Sequence, residues 1–194
     1  MELSRRLGAA CGVLGPAAFV AGWGVNGART PGYDPLTDAI SRLAAEGADT
    51  RQSMTACFVV FGVLVPVWAW TLARELDRPA LVPVVTVAGL ATLAVAALPL
   101  TAQGGQLQDA GHAAAALTGY VAMAATPLVA ARALPPGPRR ASVVTGVVSA
   151  CALLASVVTG SGGAQRLGLT VVDVWHVAVA TGVLLRTGAA RSRP

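Results

Sequence analysis

Two short patterns in the sequence place a carboxyl and an imidazole at helical spacing. Asp109-Ala-Gly-His112 and Asp173-Val-Trp-His176 each set Asp and His three residues apart, and they hold both histidines of the chain. On a helix, side chains three apart are neighbours on one face. Asp49-Thr-Arg-Gln52 repeats the spacing with Gln in the His place, and the three Asp residues fall 60 and 64 positions apart. The spacing suggests a repeated helical hairpin that presents one polar pair per unit. A positioned carboxyl or imidazole does general acid–base work. Two of each can also hold zinc, whose bound water attacks an ester or amide. Asp109, His112, Asp173 and His176 are therefore candidate metal ligands. A third His and any zinc motif are missing from the 194 residues, so zinc stays an alternative and no cofactor is predicted.

A second polar concentration lies earlier. Thr30-Pro31-Gly32-Tyr33-Asp34-Pro35 is turn chemistry, with Pro and Gly as punctuation and an Asp able to bond its own backbone. Leu36, Ile40 and Leu43 then recur at i, i+4, i+7, which predicts a short amphipathic helix over 36–43. Asp38 and Arg42 form an i, i+4 pair on another face of it. Such a helix lies at a membrane surface or caps a bundle. The candidate catalytic residues are thus Asp34, Asp38, Asp109, His112, Asp173 and His176. Ser41, Arg42 and Arg166 are candidate binding groups.

The rest of the chain exists to position these residues. Hydrophobic residues make up 55% and charged ones 12%, about half the charge of a soluble domain. This excludes a disordered chain, a coiled coil, a nucleic-acid binder with a charged face and a soluble enzyme. Six apolar runs approach the roughly 20 residues a bilayer needs. They span about 7–28, 52–73, 81–100, 110–131, 141–160 and 167–185. They are apolar all round, unlike the alternating strands of a membrane barrel. The expectation is one all-α membrane domain of six transmembrane helices, with an external loop at 29–51. With the sixth span starting near Leu169, Asp173 lies about 6 Å in and His176 about 10 Å in.

All 14 basic residues are Arg. With the N-terminus inside, Arg5, Arg6, Arg74, Arg78, Arg132, Arg139, Arg140, Arg186, Arg191 and Arg193 lie inside. Arg29, Arg42, Arg51 and Arg166 lie outside, and the net charges become +7 and −2. The positive-inside rule then puts both termini in the cytoplasm. Arg5-Arg6 lacks the residues that complete a twin-arginine signal, so the first run reads as a retained span. Cys11, Cys57 and Cys151 sit in apolar runs and give no disulfide or ligand spacing. Trp23 and Trp175 fall toward outer ends of spans and Trp68 and Trp70 toward an inner end, as an aromatic belt would.

The order of features resembles the domain-of-unknown-function 998 family, bacterial six-helix integral membrane proteins. The resemblance rests on Gly15-Pro16 with Phe19, and most of all on Pro31-Gly32-Tyr33-Asp34-Pro35 followed by Ile40-Ser41-Arg42-Leu43. Leu98-Pro99, His112, Gly163-Ala164-Gln165-Arg166 and Trp175 extend it over nearly the whole chain. Arg42 departs from the pattern, which leads to an acidic residue after the Ser. The resemblance implies a six-span bundle with the same external polar cluster, and no particular activity.

The functional expectation is a membrane-embedded enzyme or a lipid-binding protein acting at the outer leaflet, with membrane lipids or a lipid-like substrate as partners and no nucleic acid. A small transporter and a structural subunit of a membrane complex are the alternatives. The sequence does not decide between enzyme and non-enzyme, nor fix the oligomeric state.

Overall fold

The computed structural model describes residues 2–105 and 107–189; Arg191 and Arg193 of the Arg count lie outside them. The described residues form six α-helices, α1 (Glu2–Arg29), α2 (Arg51–Glu75), α3 (Leu81–Ala97), α4 (Leu107–Ala131), α5 (Pro136–Thr159) and α6 (Gly162–Ala189). Five of them are long and apolar enough to cross a membrane, and α3, with 17 residues, is apolar but shorter. The chain is a helical, multi-pass membrane protein in its make-up.

Each helix packs on its neighbours in sequence, and α6 returns to pack on α1, which closes the ring. Pro16, Pro66 and Pro127 lie inside helices, tolerated where neighbouring helices shield the freed backbone. Small residues bring pairs together. A Cβ on Gly62 of α2 would sit 3.0 Å from the Gly89 carbonyl of α3, and one on Gly146 of α5 the same distance from the Ala124 carbonyl of α4. The core is carried by α2, whose Met54, Val65, Trp68, Ala69 and Leu72 are sealed from solvent.

The helix ends differ from the sequence expectation in instructive ways. Proline at the first helical position is well tolerated, so α5 begins at Pro136, in what reads as a stiff loop. Gly160 ends it at φ 72°, the left-handed conformation that glycine supplies at helix ends. The Ser161 hydroxyl then accepts the Ala164 N–H at 3.2 Å, which starts α6 at Gly162 rather than near Leu167.

The face holding the segment 30–50 is called here the loop face. At the opposite face, Glu75 of α2 gathers two arginines. It accepts both Nε and Nη2 of Arg5 from α1, the latter at 2.7 Å, and lies 3.6 Å from Nη2 of Arg186 on α6.

The expected helix over 36–43 is a five-residue 3-10 turn at Ile40–Ala44. Ile40 and Leu43 are buried in the core while Leu36 is 69% exposed, so the apolar stripe does not include its first member. Asp34 and Pro35 give the reason: the Asp34 carboxylate accepts the Leu36 N–H at 2.9 Å, an Asx turn that competes with helix.

Candidate functional site

The loop segment is seated by two adjacent residues at the start of α6. Arg166 is 7% exposed. Its Nη1 donates to the carbonyls of Pro35 (2.7 Å), Asp38 (2.8 Å) and Gly162 (3.0 Å), and its Nη2 donates to the Tyr33 hydroxyl. The guanidinium also lies 5.3 Å from the ring centroids of Trp23 and Tyr33, within cation–π range. Only a glycine fits at 162, because a Cβ there would fall on the Asp38 carbonyl. Next to it, Gln165 accepts the Ile40 N–H at 2.8 Å through Oε1 and donates through Nε2 to the Tyr120 hydroxyl of α4. Burial pushes the Tyr33 phenol above its ordinary value, and the Arg166 guanidinium pulls the other way.

The loop holds itself with its own acids. Asp38 accepts from Arg42 at 2.8 Å with one oxygen and from the Asp34 N–H at 2.9 Å with the other. The Thr50 hydroxyl donates to the Leu43 carbonyl at 2.8 Å. The Glu46 N–H donates to the Leu100 carbonyl at 2.9 Å, which ties the loop to the connection between α3 and α4.

Beneath this cap is a cavity of about 50 Å³ between α1, α2, α3, α4 and α6. A water needs roughly 10–15 Å³ of such space, so the cavity takes about three or four waters or the end of one alkyl chain. Its walls are apolar, with Phe19, Phe61, Ala91, Gly119, Met123 and Leu169 among them. Its few polar groups include Ser41, Gln165 and Tyr120 on the cap side. The Ser41 hydroxyl makes no hydrogen bond among the described residues, and Tyr120, accepting from Gln165, still has its own proton to donate.

The six candidate catalytic residues come to three separate places. Asp34 and Asp38 are spent on the loop backbone and Arg42. Asp109 accepts both the N–H and the hydroxyl of Thr101 at 2.8 Å. His112 is buried, with Nδ1 2.6 Å from the Leu98 carbonyl. Both hold the α3–α4 connection. Asp173 and His176 are buried, 1% and 0% exposed. Because α6 starts at Gly162, Asp173 is eleven residues, about 17 Å, from that end and not near the entrance. Neither oxygen of Asp173 has a hydrogen-bond partner among the described residues, and it does not bond His176. His176 Nδ1 instead accepts the Trp68 indole N–H at 3.0 Å. Among the described residues no three of His, Cys, Asp and Glu gather as metal ligands do.

Of the three candidate binding groups, Arg166 is the latch of the loop, Arg42 is an exposed partner of Asp38, and Ser41 faces the cavity. The indoles depart from the belt expectation. Trp68 is sealed in the core and Trp175 is buried with its N–H on Ser142 at 2.8 Å, while Trp70 is exposed. Tyr33, Gln165, Tyr120 and Trp68 join these arrangements although spacing did not single them out. Tyr33 and Gln165 sit inside quoted motifs, and Trp68 carries no signal in sequence.

A family model described as a protein of unknown function, DUF998, matches residues 13–182. The chain belongs to the DUF998 family. The match runs from the first helix to the last, so this DUF998 chain carries its loop latch, cavity and buried Asp173 all within the family segment. Comparison with curated proteins and with solved structures finds no match.

Proposed function

We propose that this DUF998 protein is a six-span bacterial membrane protein that binds one apolar chain of a lipid in the capped cavity. In this reading the loop face is external and both termini are cytoplasmic, because ten Arg against four fall on the terminal side. Here α3 spans with the help of the apolar Leu98–Leu100 that follows it.

The observation that carries the reading is the cavity itself. Its walls are hydrocarbon-like and sized for the end of one alkyl chain, with the Ser41 and Tyr120 hydroxyls among its few polar groups. A concave apolar site with a few convergent polar groups is the usual form of a small-molecule site. The outer half of α5 supplies no wall to it, and beyond Leu153 that helix buries nothing; in this reading the chain enters from the bilayer beside α4. Binding is favoured over turnover because Asp34, Asp38 and Asp109 are each occupied in holding backbone or hydroxyl groups.

Native mass spectrometry of the protein in mild detergent tests this, beside Gly119→Phe, which fills the cavity from α4. A lipid mass on the wild type that the variant loses supports the site. The same lipid occupancy on both, or none on either, sinks it. Labelling of cysteines placed in the loop and in the α4–α5 connection checks the orientation.

A further inference from the structure

Asp173 is a buried carboxyl that neither the packing nor the cavity explains. Both its oxygens are sealed and without partners, as are the Thr170 hydroxyl and the Nε2 of His176. Thr170, Asp173 and His176 stand at i, i+3 and i+6 of α6, so consecutive members are neighbours on the helix surface. Leu169 lines the cavity four residues before Asp173, which places the carboxyl one turn deeper along the same side of the helix.

Trp68 decides what His176 can offer. An indole N–H only donates, so Nδ1 must accept, and the neutral ring then carries its proton on Nε2. The pair therefore presents two acceptors at Asp173 and one donor at His176, all sealed and without partners among the described residues. No protein charge answers the carboxyl. Between their end arginines, α1, α2 and α5 hold only Cys11, Cys57 and Cys151 as titratable groups; α3 holds none, and α4 past His112 holds only Tyr120. On α6 itself, Arg166 is committed outward to the loop and Arg186 lies thirteen residues on, beside Glu75. A lone charged carboxylate at such a depth is strongly disfavoured.

We propose that Asp173 and His176 form a binding site for one hydrated monovalent cation, hydronium or sodium, exchangeable with the loop-face solution. Sodium beside the carboxylate, or a proton passed from hydronium to it, neutralises Asp173, and the accompanying neutral water accepts the Nε2–H of His176. A single carboxylate matches a single positive charge; a divalent ion would want further acidic oxygens. The Thr170 hydroxyl, one turn toward the loop face, is the next oxygen along the stripe.

The test uses the full chain in detergent, with sodium chloride titrated against choline chloride at constant ionic strength and over a pH series. The first readout is tryptophan fluorescence, because Trp68 bonds His176 and the Trp175 ring lies 5.2 Å from it. The second is the carboxyl C=O stretch in difference infrared spectra, assigned through Asp173→Asn. A saturable fluorescence change with sodium at fixed pH, absent in Asp173→Asn, identifies sodium. A carboxyl band that bleaches on raising the pH and ignores sodium identifies the proton. A wild-type band and fluorescence unmoved by either variable overturn the proposal, and leave Asp173 a permanently protonated structural residue. If Asp173→Asn fails to fold, Asp173→Glu assigns the band by shifting its frequency. Gly119→Phe keeps the cation response, so loss of the lipid site and loss of the cation site are read separately.

Discussion

Gln165 of α6 accepts the backbone N–H of Ile40 at 2.8 Å, 125 positions earlier in the chain. The bond pairs the Ile40 amide where the loop enters the core, and it makes the Ile40 N–H a reporter for seating of the cap. Removing the neighbouring latch with Arg166→Met leaves the Pro35 carbonyl without its donor and takes the short partner from the Tyr33 hydroxyl and the Asp38 carbonyl, which keep only the Tyr33 bonds to the Asp38 and Ala39 carbonyls at 3.4 and 3.1 Å. Unpaired buried groups cost about 1–3 kcal/mol each, so a loss of about 3 kcal/mol in loop seating is expected. Hydrogen exchange at Ile40 checks it: a rise of about 100-fold is predicted, at 1.4 kcal/mol per tenfold. Exchange unchanged from wild type would show that the loop is held elsewhere.

The Tyr33 phenol titrates above its ordinary value of 10.0, from burial against the opposing pull of Arg166. The native state therefore holds this proton more tightly than the unfolded chain. Its share of loop stability is full below pH 10.0 and is lost as the pH rises through the higher native value. In a Tyr120→Phe background, which leaves Tyr33 as the one tyrosine, ultraviolet difference spectra should show phenolate appearing late and together with faster exchange at Ile40. Phenolate appearing at the free-tyrosine value would count against the burial.

Trp68→Phe removes the donor to His176 Nδ1. A thermal destabilisation equivalent to about 1–3 kcal/mol is expected. Packing loss alone would give part of that, so nitrogen NMR of the His176 ring is the discriminating readout. Wild type should show a single tautomer with the proton on Nε2, and the variant a mixture.

Gly62→Val places a Cβ 2.5 Å from Leu93 Cγ and 3.0 Å from the Gly89 carbonyl. Overpacking of this kind costs about 1–3 kcal/mol, here by parting α2 from α3. Gly24→Ala is the control, since nothing lies within 4 Å of its added carbon. Melting in detergent should fall for the first and hold for the second.

The helices were legible because hydrophobic runs of that length admit little else. Their ends were less so, where one local group outweighs composition: the Ser161 hydroxyl draws α6 back across Gly162-Gly163, a pair that reads as a turn. The Asp38–Arg42 pair was legible from its spacing, and it forms at 2.8 Å. The role of Arg166 was not, since its partners are backbone carbonyls, which have no letter in a sequence. Trp68 was hidden for a similar reason. On α2 it looks like any interfacial indole, and only the packing of α6 against that helix reveals its imidazole partner.

The cap has a consequence for biogenesis. Residues 30–44 leave the ribosome right behind α1, but the groups that seat them, Gln165 and Arg166, are made more than 120 positions later. Throughout the insertion of α2 to α5 this segment lacks its Gln165 and Arg166 partners, and only Thr50 and the Leu100 carbonyl are there to hold its far end. Seating of the cap is therefore the closing event of assembly. A chain stopped short of Gly162 would carry five threaded helices and an open mouth, a form that quality-control proteases could tell from the finished protein by the loop alone.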